Sequence, residues 1–172
     1  NVRHFHSWYR RDGGQRSYSW VKQRLQEAGL VVKGKAKGAH RRKRERKALP
    51  GMLLHQDGSR HEWVVGQQWD LIVTMDDATN EHYSMFLVAE EGTASSFRGV
   101  DETIRAEGLF CSFYSDRGSH YWVTPVAGGK VGKANQTQFG RALQQLGIEM
   151  IAAYSPEARG RSERAFATHQ ER

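Results

Sequence analysis

The order of strand and helix patterns after residue 50 constrains the fold of this chain more than any other feature. The segment from Trp69 to Thr79 contains a nearly continuous apolar run, which is typical of a central strand. A strand is also predicted at 52–59, with a turn and a continuation at 61–65, and another strand at 83–89. Asn80-Glu81 supplies turn residues between the central run and the strand at 83–89, so we expect a hairpin there.

Helices and strands alternate in the second half of the sequence. Residues 93–107 and 136–146 place apolar side chains at helical spacing, and strands are predicted at 109–115 and 148–153. Ser162 is predicted to cap a last helix after an irregular loop. The order β-β-β-α-β-α-β-α predicts an α/β fold, with one five-stranded sheet, part antiparallel and part parallel, and helices on both faces.

The first 50 residues differ from the rest in charge. They hold 15 Lys and Arg against 3 Asp and Glu, a net charge of +12, whereas residues 51–172 hold 11 against 16, a net charge of −5. Such a split indicates a basic arm that binds a polyanion, because Lys and Arg neutralise phosphates. Residues 33–50 predict a basic linker that ends at Pro50-Gly51, and the cations expected to contact DNA there are Arg41, Arg42, Lys43 and Arg44.

Residues 1–32 predict two short helices. Aromatic side chains within 3–12 and apolar ones within 18–28 recur at helical spacing, with glycines after each helix. The second helix carries Lys22 and Arg24 outward, which suits a partial helix-turn-helix that binds DNA. A plain helical hairpin is the alternative interpretation.

Three acidic residues lie where they could converge. Asp57 belongs to the first strand, Asp116 follows the fourth, and Glu163 is expected in the first turn of the last helix. In a mixed sheet of this order the first and fourth strands are neighbours, so Asp57 and Asp116 could face each other. Three carboxylates repel one another unless cations lie among them. Such oxygen ligands suit Mg²⁺ or Mn²⁺, and two such ions can activate a water or a 3′-hydroxyl for attack on a phosphodiester.

Four stretches, taken in order, resemble one known family. They are His55-Gln56-Asp57-Gly58-Ser59, Asp76-Asp77-Ala78-Thr79, the segment 114–119 and the segment 154–164. Residues 51–172 resemble the catalytic core of retroviral-integrase-like DDE transposases, and more narrowly bacterial insertion-sequence transposases of the ISNCY type. The resemblance implies an RNase H-like fold, a metal-binding triad of Asp57, Asp116 and Glu163, and metal-dependent DNA cleavage and strand transfer. It also implies a protein that is a homo-oligomer at full length.

Alternatives remain for several of these residues. Asp76 and Asp77 compete with Asp57 for the catalytic position, although their place before Asn80 favours a turn. Glu163 could instead stabilise the dipole of the last helix.

The roles of the arginines near these acids also have more than one interpretation. Arg117 could contact the scissile phosphate or shape its own loop. Three arginines near Glu163 could bind DNA phosphates or remain solvated: Arg159, Arg161 and Arg164.

Some classes of protein are excluded by composition. One cysteine rules out a disulfide framework and a Cys-rich zinc site. No run approaches the roughly 18 apolar residues of a membrane span, so we expect no membrane partner and a cytoplasmic, nucleoid-associated protein. The chain begins with Asn1 rather than Met, and we expect a fragment of a longer protein.

Overall fold

A computed structural model describes residues 1–32, 45–125, 129–132, 135–154 and 156–170, without the side chains of 156–159 and 161. The chain forms two compact units, an N-terminal one and a larger one of residues 42–170. Arg41, Arg42, Lys43 and Arg44 of the predicted linker lie outside the described residues.

The N-terminal unit contains the two helices that the sequence predicts, α1 (Val2–Arg11) and α2 (Tyr18–Glu27). The Ser17 hydroxyl caps α2 by accepting a hydrogen bond from Trp20 N at 3.3 Å, which satisfies one of the free amides of the first turn. Gly13, with φ of 89°, allows the sharp turn between the helices.

The larger unit is built on one five-stranded sheet. Its strands are β1 (Leu54–Val64), β2 (Gln67–Asp76), β3 (His82–Val88), β4 (Ser112–Ser115) and β5 (Glu149–Ala152), in the spatial order β3-β2-β1-β4-β5. The first three strands are antiparallel, whereas β4 runs parallel to both β1 and β5. The predicted mixed sheet, with the first and fourth strands adjacent, is therefore confirmed.

Helices cover both faces of the sheet. On one face α3 (Thr93–Glu107) and α4 (Gln138–Gln145) enclose a core of aromatic and aliphatic side chains that includes Phe113 and Phe139. On the other face α5 (Pro156–Gln170) packs Phe166 against a stripe of β2 side chains, Leu71, Val73 and Met75. Among the described helices, none combines the length and apolarity needed to cross a bilayer.

Two local predictions were wrong. The strand β1 runs from Leu54 to Val64 without the expected turn at residue 60, because Arg60 stays paired with Asp70 of β2. The last helix begins at Pro156 instead of after Ser162, since proline suits the first helical position, where its missing amide is not needed. Glu163 therefore lies about two turns into α5, beyond the first turn where the helix dipole acts.

Gly99 allows α3 to approach the sheet closely. A Cβ atom at this position would lie 2.3 Å from Gln56 Nε2 and 2.8 Å from Thr74 Oγ1. Those two side chains are buried and hydrogen-bonded to each other, so they have little room to yield. The glycine is required by this close contact.

We therefore expect Gly99→Ala to destabilise the fold by about 1–3 kcal/mol, as overpacking of a buried contact does. Gly160→Ala in α5 is the matched control, because no atom lies within 4 Å of its would-be Cβ. It is expected to stabilise the helix by about 0.5–1 kcal/mol. Urea unfolding of both variants measures the difference, and equal free energies of unfolding would contradict the close contact.

Candidate active site

The parallel pairing of β1 with β4 brings two of the three predicted acids together. His55 of β1 lies opposite Tyr114 of β4, and their rings are 5.0 Å apart. If this register is continued for two residues, Asp57 corresponds to Asp116, which directly follows β4. Because residues two apart share a face of a strand, both acids belong to the face that α5 covers.

Asp57 and Asp116 line one pocket. Asp57 is only 7% exposed, whereas Asp116 is partly exposed. The residues around this pocket come from β1, the end of β4 and α5, and they are His55, Gln56, Asp57, Tyr114, Ser115, Asp116 and Ser162. The pocket thus lies where the fourth strand ends and the first continues.

The loop after β4 holds the Asp116 carboxylate by local hydrogen bonds. Its Oδ1 accepts from Gly118 N at 2.8 Å, which closes a tight turn. The preceding Ser115 hydroxyl accepts from Trp122 Nε1 at 2.9 Å, so the indole ties the far end of the loop back to β4. The carboxylate is therefore oriented by its own loop.

The helix α5 reaches the pocket through residues spaced four apart. Ser162 is buried and lines the pocket, Phe166 enters the core, and Gln170 Nε2 donates to Ser59 Oγ at 2.8 Å. These three residues form one helical face, and Glu163 lies at its border. The Glu163 side chain is exposed and is not among the residues that line the pocket.

The structure thus brings together two of the three predicted ligands. Within the described residues, no group of three or more His, Cys, Asp or Glu side chains has the arrangement of a metal site. Asp57 and Asp116 share the pocket, and Glu163 follows the residue of α5 that lines it. The assignment of Glu163 as a third ligand stays a prediction.

A buried polar network lies beneath the pocket, on the opposite face of the sheet. Gln56, next to Asp57, donates from Nε2 to Thr74 Oγ1 at 2.8 Å and to Ser96 O at 3.3 Å. Its Oε1 accepts from the Tyr121 hydroxyl at 2.8 Å. The amide of Gln56 therefore links β1 to β2, to α3 and to the loop that follows Asp116.

Tyr121 reports the electrostatic character of this region. Burial raises the pKa of its hydroxyl well above the ordinary value, and the negative charges of Glu91, Asp116 and Asp57 raise it further. The charges of three carboxylates therefore add to burial in disfavouring ionisation of the Tyr121 hydroxyl.

Asp76 and Asp77 have structural partners that account for their burial. Asp76 accepts from Gly51 N at 2.9 Å and from Thr79 N at 2.8 Å. Asp77 accepts from Lys47 N at 2.8 Å and pairs with His55 Nε2 at 2.7 Å, with both side chains almost fully buried. These bonds agree with the predicted role in a turn and also anchor the segment that precedes the sheet.

The arginines expected to contact DNA differ in what the structure shows. Arg117 donates from Nη1 to Gly129 O at 2.8 Å and lies over the Tyr154 ring, contacts that shape its loop. Arg164 is exposed on α5.

Of the remaining cations, Lys22 and Arg24 are exposed on α2, where Arg24 pairs with Glu27 at 2.7 Å. Arg159 and Arg161 belong to α5, but their side chains are outside the described part. For all of these residues, DNA contact stays a prediction.

The sequence interpretation missed Gln56, Tyr121 and Glu91 as parts of this site. Gln56 and Tyr121 lie 65 positions apart in the sequence, so no local pattern joins them. The one available signal is Gly58, because a glycine inside a strand often marks the close approach of another group. Here that group is the Glu91 carboxylate.

Solved structures share this fold. The HTLV-2 integrase catalytic core domain in complex with magnesium (trimeric form) superposes with a TM-score of 0.54 at 16% identity, covering 71% of this chain and 68% of that one. The integrase of a simian T-cell lymphotropic virus intasome gives 0.53 at 17% identity, covering 72% and 42%. The chain has the RNase H-like fold of integrase catalytic cores. At such low identity these structures establish the fold alone.

Two curated proteins are similar to this chain in sequence. The predicted transposase y4bF of Sinorhizobium fredii is 35% identical over 165 residues, which cover 94% of this chain and 35% of that protein. The transposase for insertion sequence IS1202 of Streptococcus pneumoniae is 27% identical over 129 residues, covering 75% and 28%. The chain spans about a third of the length of these relatives, and no family model matches it. The predicted resemblance to bacterial insertion-sequence transposases is confirmed.

We expect Asp77→Ala to destabilise this integrase-like core by about 2–4 kcal/mol, because it removes the buried carboxylate that bonds His55 and the Lys47 amide. Asp101→Ala is the control, since Asp101 is exposed on α3 and pairs with Arg105 in the same helix. Urea unfolding compares the two variants. A loss for Asp77→Ala no greater than that for Asp101→Ala would contradict the anchoring role.

Proposed function

We propose that this chain carries the catalytic core of a DDE-type transposase, which cuts DNA and joins the freed end to a target strand. The observation that carries the proposal is the placement of Asp57 and Asp116 in one pocket at the junction of β1 and β4. The integrase-like fold and the transposase relatives point to the same chemistry.

The residues of the pocket fit a divalent metal ion. Asp57 and Asp116 offer only oxygen donors, and their negative charges help to raise the pKa of Tyr121, after its burial. Oxygen ligands of this kind suit Mg²⁺ or Mn²⁺ rather than softer metals. Asp57 and Asp116 would hold the metal, with Glu163 as the third ligand if two ions bind. One neighbouring integrase core was solved with magnesium.

When bound, such ions lower the pKa of an attacking oxygen and neutralise charge on the phosphate. In cleavage, a water oxygen would lose a proton and form a bond to phosphorus as the bond from phosphorus to the 3′ oxygen breaks, and the 3′ oxygen would take up a proton. In strand transfer, the freed 3′-hydroxyl attacks a target phosphodiester in the same way. Asp57 would supply negative charge from strand β1, and Asp116 would supply it from the loop directly after β4, where Gly118 N orients its carboxylate.

DNA would be bound through basic residues of the N-terminal part of the chain and of α5. The first 50 residues have a net charge of +12, and α2 exposes Lys22 and Arg24. Arg164 follows Glu163, with Arg159 and Arg161 earlier in α5. We propose that the N-terminal unit with the linker binds DNA phosphates, and that the α5 arginines approach the strand being cut. The whole protein is proposed to act as an oligomer, as intasomes do.

DNA binding without catalysis is the second candidate function. The observation that favours it is the exposure of Glu163, which leaves two acids in the pocket instead of three. In that case the basic part of the chain would bind DNA, and the core would have no catalytic role.

The test is the nicking of supercoiled plasmid DNA by the 172-residue chain with Mg²⁺ or Mn²⁺. We expect Asp57→Asn and Asp116→Asn each to lower the nicking rate by more than about 100-fold, because each removes a charge needed in the transition state. Asp101→Asn, at an exposed acid on α3 that does not line the pocket, is the control for charge and is expected to retain activity.

Equal nicking by the wild type and Asp116→Asn would show the catalytic assignment to be wrong. Binding of plasmid DNA by all variants, with no nicking by any of them, would favour the second candidate.

A further inference from the structure

The Glu91 carboxylate lies directly against β1 at Gly58, the residue that follows Asp57. A Cβ atom built on Gly58 would come within 2.3 Å of Glu91 Oε2, a distance that no real side chain tolerates. Glu91 reaches this position from the loop between β3 and α3, where its amide donates to buried Asp70 Oδ2 at 2.7 Å. The backbone of Glu91 is thus fixed to β2 while its side chain extends to β1.

His120 approaches the same carboxylate from the loop that carries Asp116. Its Nε2 is 3.4 Å from Glu91 Oε1, an ion-pair distance without the alignment of a hydrogen bond. The ring packs on Tyr121 at 4.0 Å. A Cβ on Gly118 would lie 2.8 Å from His120 Cε1 and 3.0 Å from Asp116 Oδ1, so the imidazole and the Asp116 carboxylate border the same glycine.

These contacts form a continuous path between the two acids. It leads from Asp57 through its neighbour Gly58 to Glu91, then to His120, and along a short tight loop to Asp116. The strand β4 ends at Ser115, so the backbone pairing of the sheet no longer holds the chain at Asp116. Repulsion between the two carboxylates would push the loop outward, and the Glu91–His120 contact adds a second tie to β1 beside the Tyr121–Gln56 hydrogen bond.

We propose that Glu91 and His120 are positioning residues that fix the loop after β4 against β1 and so set the separation of Asp57 and Asp116. This inference rests on the proposed function, in which those two acids hold a divalent metal. Groups that orient metal ligands from outside typically change metal affinity by about 10–100-fold when they are removed. Both side chains remain partly exposed, 27% for Glu91 and 18% for His120, so their substitution should leave the core folded.

The experiment measures Mn²⁺ affinity of the 172-residue chain by isothermal titration, with melting temperature as a check on folding. We expect Glu91→Gln and His120→Asn each to weaken Mn²⁺ binding by about 10-fold while the chain stays folded. Because both act through one contact, the double variant should lose no more than either single variant. Glu90→Gln, which removes the same charge from the adjacent exposed position, is the matched control and should bind Mn²⁺ as the wild type does.

Wild-type affinity in either single variant would overturn the proposal, and so would losses that multiply in the double variant. An equal loss in Glu90→Gln would also overturn it, because a general change of charge would then explain the effect. Asp57→Asn and Asp116→Asn separate this inference from the proposed function. If both acids prove necessary for Mn²⁺ binding but Glu91→Gln binds Mn²⁺ with wild-type affinity, only the inference fails. If neither acid matters, the proposed site itself is wrong.

Discussion

The parallel pairing of β1 with β4 is the constraint on which the candidate site depends. It sets Asp57 and Asp116 opposite each other on one face of the sheet, at the point where β4 stops and β1 continues. Two like charges in this position are unfavourable in the absence of a cation. The fold therefore has to hold them in place by contacts that do not involve the carboxylates alone, and the buried side of the sheet provides these contacts.

The two faces of the sheet differ in the contacts that they make. On the α5 face, apolar side chains pack on Phe166 and leave a pocket for the acids. On the α3 face, the Gln56 amide joins three elements and the Tyr121 hydroxyl through buried hydrogen bonds. Leaving any member of such a buried network unpaired costs free energy. The network therefore fixes the register of β1 and the position of the loop after Asp116. Asp77 performs a similar task for the segment that enters the sheet.

The succession of strands and helices along the chain could be predicted from sequence, because apolar runs and turn residues determine it locally. The start of α5 could not, since residues 156–161 lack apolar periodicity and only Pro156 marks the helix. Glu91 and Tyr121 reach the site from distant loops, and their positions depend on how α3 packs on the sheet. The exposure of Glu163 likewise depends on the rotation of α5 about its axis, which is set by the packing of Phe166.

The central claim is that Asp57 and Asp116 jointly bind a divalent metal. Anomalous diffraction from a crystal of this chain soaked in Mn²⁺ tests it most directly. We expect a peak within about 2.5 Å of a carboxylate oxygen from each of the two residues, the range of metal–oxygen bonds at such sites. A peak at Asp76 and Asp77 instead, or a well-ordered pocket with no peak at saturating Mn²⁺, would contradict the claim.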